Sequence, residues 1–340
     1  MTPENANAAE PETLAPFRRL LVACSPFENG QGAFANAAAL AKTWDAELSA
    51  LAVVELPKEI DHISGATNIS HDDIVGRLVD AYREELLGVW NRLAPNLDPM
   101  IEVRVGKPYV ETVRYVLANN VDMLFKTADE VDGLHRYLFS STDRHLLRKC
   151  PCPVWLCHPK SAPSVRTVLA AVDADVSAAS EPETLMALNR CIIETAVRIA
   201  GGEGGTVTLL HVWDAPEEDF VRRWSDSPKV AESYVNRVQA NHERALYQLV
   251  EETRAWLTQD LARRVEIVPI LQRGNARDVI PDRIREQKTD LLVMGTVART
   301  GVPGVIIGNT AEDILNGIDC SVVTVKPPNY VSPLTVDESP

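Results

Sequence analysis

A chain of 340 residues, 45% of them hydrophobic, is long enough for two domains of about 150 residues, each with an ordinary core. Its 48 acidic against 34 basic residues give a formal net charge of -14, which argues against nucleic acid or an anionic membrane surface as the main partner, because phosphate groups attract basic patches. No apolar run is long enough to span a bilayer, while a local anion site built from backbone N–H groups needs no net charge.

Residues 1–16 are polar, acidic and rich in Pro and Ala. They read as a flexible lead-in without the basic start and apolar centre of a secretion signal, which places the protein in the cytoplasm. The first domain is expected over 17–158, opening on an apolar strand at 18–25 and closing on Cys150-Pro151-Cys152-Pro153-Val154. Cys150, Cys152 and Cys157 cluster with His145 and His158, but the spacing is not Cys-x2-Cys, and buried structural thiols are favoured over metal or redox chemistry. No metal site and no catalytic residue is assigned. The six cysteines are scattered and do not resemble a disulfide framework. The basic run Arg144 to Lys149 is read as complementing the C-terminal end of its own helix, rather than as an anion site.

A short joint at 158–163 leads into a second domain, 164–328, followed by a tail, 329–340. The second domain repeats the first. Arg18 aligns with Arg166 at an offset of 148, whereas Gly106 aligns with Gly274 at 168, so 20 extra residues lie between the first and third strands of the second copy. Its strands are expected near 166–173, 206–212, 264–270, 290–295 and 321–326, separated by amphipathic helices that carry Leu188, Ile192 and Leu249. Strands that alternate with helices imply a parallel, doubly wound sheet in each copy. Trp224, Tyr234 and Trp256 fall in the inserted region, where core packing is the expected role and an apolar cleft the alternative.

The segment after the fourth strand of the second copy, residues 293–312, carries four glycines. Gly295 ends the strand, where a ligand can approach the backbone closely. Gly308 precedes a helix, and Asn309 followed by Glu312 has N-cap and capping-box spacing. Such a helix aims N–H groups at the C-terminal edge of the sheet, where ligands of open α/β folds sit.

This segment resembles the Gly-x2-Gly-x9-Gly-Ser/Thr signature of universal stress proteins. Gly295, Ala298 and Gly308-Asn309 fall on it, with alanine in one glycine position and asparagine in place of the hydroxyl residue. An Asp ending the first strand, Leu210-His211-Val212 on the second and Gly274-Asn275-Ala276-Arg277 before the third helix extend the match, so the chain is similar to the tandem, E-type members over roughly 17–330. The resemblance implies two Rossmann-like, adenine nucleotide alpha hydrolase-like domains, each with a doubly wound five-stranded parallel sheet. It further implies ATP with Mg²⁺ in the second copy, a regulatory or sensing role and at most slow hydrolysis. By position, Asp173 would accept from the adenine amino group, Val212 would contact the base, Gly295 would lie beside the ribose, and Gly308, Asn309 and Thr310 would hold the phosphates, with Met294 and Ala298 as further nucleotide-binding positions.

In the first copy, Ser25, Thr127, Glu130 and Ser140 stand for Asp173, Gly295, Ala298 and Gly308, and the loop holds Asp129, Glu130 and Asp132, which repel a triphosphate. This copy is expected not to bind ATP. The two copies are expected to pair through their last strands, at 154–157 and 322–325, as an intramolecular pseudo-dimer, with a homodimer of whole chains left open. The alternative function is a carrier or sensor of an apolar, lipid-like ligand.

Overall fold

A computed structural model describes residues 17–24, 32–128, 140–159, 164–177, 179–202, 204–225, 227–296 and 308–336. In the first half β1 (Arg19–Ala23), α1 (Gly32–Trp44), β2 (Glu47–Val54), α2 (Ile60–Thr67), α3 (His71–Leu93), β3 (Ile101–Val105), α4 (Pro108–Asn119), β4 (Met123–Thr127), α5 (Ser141–Lys149) and β5 (Val154–Cys157) follow one another. The second half repeats the pattern with β6 (Thr167–Val172), α6 (Pro182–Gly201), β7 (Thr206–Trp213), α7 (Glu218–Trp224), α8 (Pro228–Trp256), α9 (Gln259–Arg264), β8 (Glu266–Arg273), α10 (Ala276–Gln287), β9 (Leu291–Gly295), α11 (Asn309–Leu315) and β10 (Ser321–Val325).

All ten strands form one sheet, in the order β3-β2-β1-β4-β5-β10-β9-β6-β7-β8. Within each half every neighbouring pair is parallel. At the centre β5 and β10 run antiparallel, with Trp155 opposite Val323 and Leu156 opposite Val322. The expected pairing of last strands is therefore present. Every residue of both strands is buried, and neither strand carries a charge, so their unpaired edges would be costly in water.

The sheet carries a core on each face. One packs Phe34 of α1, Trp90 of α3, Ile193 of α6 and Val250 of α8 against inward residues such as Val168 and Val293. The other packs Val116 of α4, Leu146 of α5, Ile280 of α10 and Ile314 of α11 against Leu124, Leu169 and Leu292. Alternate residues of each strand serve opposite faces, which is why the central strands read as unbroken apolar runs.

Two sequence features of the repeat gain a physical reason. Asp122 Oδ2 accepts from the N–H groups of Arg18 and Arg19 at 2.7 and 2.8 Å, and Asp290 Oδ2 does the same for Arg166 and Thr167 at 3.0 and 2.9 Å. Each aspartate ties the start of the fourth strand to the start of the first. Gly106 and Gly274 follow the third strands with φ of 152° and 144°, a region that favours glycine, and turn the chain into α4 and α10.

The insertion lengthens helices: α6 has 20 residues against 13 in α1, α8 has 29 against 23 in α3, and α9 is additional. The strand expected from 264 begins at Glu266, because Arg264 closes α9, and it extends to Arg273. Trp256 packs against the core as expected, whereas Trp224 is 79% exposed and stacks on Phe220. The tail is not detached: Tyr330 donates to the Arg148 carbonyl and Leu334 packs against the α5–α11 face.

Candidate functional site

In the second half β6 is flanked by β7 on one side and β9 on the other. The chain leaves β6 toward β7 and leaves β9 toward β10, so the carboxyl ends of β6 and β9 form a topological switch point, the place where ligands of open α/β sheets sit. Asp173 immediately follows β6, and Met294 and Gly295 end β9 beside it, with Ala171 paired to Met294. The turn after β6 is rigidly held. Asn189 of α6, 2% exposed, accepts from the Asp173 N–H at 3.0 Å and donates to its carbonyl at 2.7 Å. Val212 and Met294 pack on the α10–α11 face of the sheet. These two and Asp173 are thus gathered at one sheet edge.

Gly295 has a packing reason of its own. A Cβ built there would stand 2.7 Å from Leu188 Cδ2 and 3.2 Å from its Cγ, so α6 sits directly over this position. Gly295→Ala is expected to destabilise the protein by about 1–3 kcal/mol through overpacking, with Leu188→Ala restoring part of the loss. Additive destabilisation in the double variant, measured by urea unfolding, would refute this coupling.

Gly308 is the N-cap of α11 and makes no side-chain cap; Asn309 is the first helical residue and Thr310 the second. The capping box expected from Asn309 and Glu312 is not formed. Glu312 instead accepts from the guanidinium of Arg148 in the first half. The Gly308 N–H donates to the Thr296 carbonyl at 3.3 Å, which brings the end of β9 and the start of α11 together. Ala298 lies outside the described residues.

A cluster that the sequence signals only in part adjoins Asp173. His211 of β7, 1% exposed, meets His242 of α8 through Nε2 and Nδ1 at 2.9 Å, and His242 Nδ1 lies 3.7 Å from Asp175. His211 Nδ1 lies 3.3 Å from both the Ala174 N–H and the Val172 carbonyl, so the ring also anchors the turn that carries Asp173. Burial holds the His211 imidazole below its usual range, against the pull of Asp173. Burial pushes Asp175 up, but hydrogen bonds from Ser177 and the nearby histidines outweigh it and hold the carboxyl low. The dipeptide Leu210-His211 signals one partner, but His242 stands 31 positions away on a helix. Its facing depends on how α8 packs.

The corresponding first-half edge is built differently. Ser140 caps α5, accepting from the Asp143 N–H at 3.1 Å, while Asp143 accepts from the Ser140 N–H at 3.1 Å. Asp143 is fully buried and pairs with Lys126 at 2.9 Å. A carboxylate of the chain itself thus occupies the first turn of this helix. Thr127, at the place of Gly295, accepts from the Ala33 N–H at 3.3 Å. Ser25, Asp129, Glu130 and Asp132 lie outside the described residues.

Cys150, Cys152 and Cys157 are buried, as expected of structural thiols, with Cys150 Sγ and Cys152 Sγ 3.5 Å apart. Burial pushes the Cys152 and Cys157 thiols well up. Among the described residues no helix is long and apolar enough to cross a membrane.

Comparison with known proteins points one way. The model of the universal stress protein family matches twice, over residues 16–158 and 165–326. Universal stress protein E of Salmonella typhi is 29% identical over 70% of this chain and 72% of its own. A universal stress protein E homolog of Haemophilus influenzae is 23% identical over 92% of this chain and 98% of its own. A functionally unknown protein of Pseudomonas aeruginosa PAO1 shares the fold, with a TM-score of 0.62 at 21% identity over 92% of this chain and 94% of that one.

Proposed function

The chain belongs to the universal stress protein family, and from that premise we propose that it is a cytoplasmic stress-response protein that binds an adenine nucleotide, ATP with Mg²⁺, at one site per chain in its second half. The role is regulatory or sensing, with at most slow hydrolysis. The observation that carries the reading is the difference between the two sheet edges. In the second half Asp173 follows β6 at the switch point, and α11 starts on Gly308, which has no side chain to fill the helix start. In the first half the matching helix start is filled by buried Asp143 and its Lys126 partner. There Ser140 and Asp143 already accept from each other's N–H groups, so two donors of that helix start are taken up before a phosphate arrives.

Asp173 reads the adenine amino group, Val212 and Met294 border the base, Gly295 lies beside the ribose, and Ala298, Gly308, Asn309 and Thr310 receive the phosphates. Mg²⁺ would neutralise phosphate charge, so that positioning and electrostatics set any turnover. Asp173→Ala is expected to weaken ATP binding 10- to 100-fold and to narrow the preference for ATP over GTP, since a hydrogen bond to a charged group contributes about 1.5–3 kcal/mol. The two bonds from Asn189 go to the Asp173 backbone and survive this change. Calorimetry with both nucleotides checks it; unchanged affinity and base preference, or two equivalent sites, would remove the proposal's basis. Mass spectrometry of ligand released from purified protein separates it from the lipid-carrier alternative.

A further inference from the structure

The final turn of an α-helix leaves carbonyl groups without intrahelical donors, and they must find partners elsewhere. At the end of α5 two of these carbonyls, of Leu147 and Arg148, are met by residues of the other half. The Lys326 ammonium donates to the Leu147 carbonyl, and the Tyr330 hydroxyl donates to the Arg148 carbonyl. Lys326 also lies over the Tyr330 ring, 5.3 Å from its centroid. Helix α5 thus draws part of its C-terminal capping from the second half, beside the Cys150 N–H that meets the Leu146 carbonyl.

Lys326 and Arg148 also reach the flanks of the candidate nucleotide site. Lys326 donates a second hydrogen bond to Thr296 Oγ1, and Thr296 is 2% exposed and immediately follows Gly295. The Arg148 side chain donates to Glu312 in the first turn of α11. A carboxylate in that turn opposes an approaching phosphate, and a guanidinium paired with it removes most of the opposing charge. The Gly308 N–H to Thr296 carbonyl bond closes the gap between the two flanks. One turn of the first half is therefore tied to both the end of β9 and the start of α11.

We infer that the last turn of α5 is a working part of the second half's nucleotide site: Arg148 and Lys326 are positioning residues that hold the end of β9 and the first turn of α11 in register for phosphate. The first half, whose own edge is filled by Asp143, then has a function as the brace of its neighbour. This inference rests on the reading of the second half as an adenine-nucleotide site.

The test uses the full-length chain and two readouts. One is ATP affinity by calorimetry. The other is amide hydrogen exchange without nucleotide, followed in peptides covering Thr296 and Asn309–Leu315, with Thr167–Val172 of β6 as the internal reference. Arg148→Ala is expected to weaken ATP binding roughly tenfold and to speed exchange in α11 roughly tenfold, with β6 unchanged. Arg148→Lys should recover part of both. Arg148→Ala combined with Glu312→Gln should restore neither affinity nor protection in full, because it removes the opposing charge without restoring the tie. Lys326→Met should speed exchange at Thr296; should that protein fail to fold, Arg148→Ala, whose side chain is 33% exposed, still decides. Wild-type affinity and wild-type exchange in Arg148→Ala overturn the inference, as does affinity that stays unchanged while exchange rises. Should the wild-type chain bind no adenine nucleotide, the functional proposal fails separately. Exchange alone then judges the brace, faster exchange supporting it and unchanged exchange overturning it.

Discussion

Trp155→Ala is expected to lower the free energy of unfolding by about 3–5 kcal/mol and to bring both halves down in a single transition. Trp155 is 1% exposed, stacks on Phe125 with ring centroids 5.2 Å apart, and stands opposite Val323 in the antiparallel ladder that joins the halves. Its truncation opens a large cavity in a core that contains residues of both halves, among them Val323 and Val325. Neither half can relax into that space without breaking the β5–β10 ladder, and neither edge can be exposed without leaving buried backbone groups unpaired. The indole N–H has no hydrogen-bond partner among the described residues. Trp155→Phe, which keeps a ring and removes that unsatisfied donor, should therefore cost much less, about 1 kcal/mol. Urea unfolding followed by far-ultraviolet circular dichroism and by fluorescence checks both variants. Two separated transitions in the wild-type protein would defeat the single-core interpretation. So would stable, separable halves from a chain cut near Pro159.

The features legible in the sequence are those set by local pattern and by repetition. The offsets of 148 and 168 locate matching strands, and the uncharged run around Val322 and Val323 marks an edge that needs a partner. Features that depend on which helix face meets which neighbour are not legible. Asn309 and Glu312 have the spacing of a capping box, but the Glu312 carboxylate gains more from a charged guanidinium than from a backbone N–H, and it turns to Arg148. The true box, Ser140 with Asp143, has an equally clear Ser-x-x-Asp spacing, and that spacing alone marks the start of α5. Gly295 suggests close approach of a ligand, and the atoms that approach it in the fold are those of Leu188. A glycine signals closeness without naming what comes close. The His211–His242 contact is hidden for a related reason, since the register of a long helix against a sheet is fixed by its whole apolar face.

Lys326→Met is expected to change how stability depends on pH. Burial lowers the Lys326 ammonium from its usual range to about 8, against the pull of Cys150 and Cys152, and its other neighbours are the Leu147 carbonyl, Thr296 and Tyr330. In the unfolded chain the same amine titrates near 10.4. Below pH 8 both states hold the proton, and the folded state carries the full cost of a partly desolvated charge. Between about pH 8 and 10.4 the unfolded state holds a proton that the folded state has released, so stability rises with pH. The full shift corresponds to about 3 kcal/mol, reduced to about 2 because the side chain keeps some contact with solvent. Methionine does not titrate, so wild-type stability should gain this amount relative to Lys326→Met between pH 7.5 and 10.5. Tyr330 and Cys320 pull the other way: burial pushes both up to about 12, and each favours the unfolded state in alkali. That trend is present in both proteins and cancels in the difference. At pH 7.5 the variant should be close to wild type in stability, because the lost hydrogen bonds are offset by removal of a buried charge. The measurement is a urea series at several pH values for the two proteins. A difference that stays constant from pH 7.5 to 10.5, or that grows in favour of methionine, would show that the ammonium is as well solvated in the fold as in the unfolded chain.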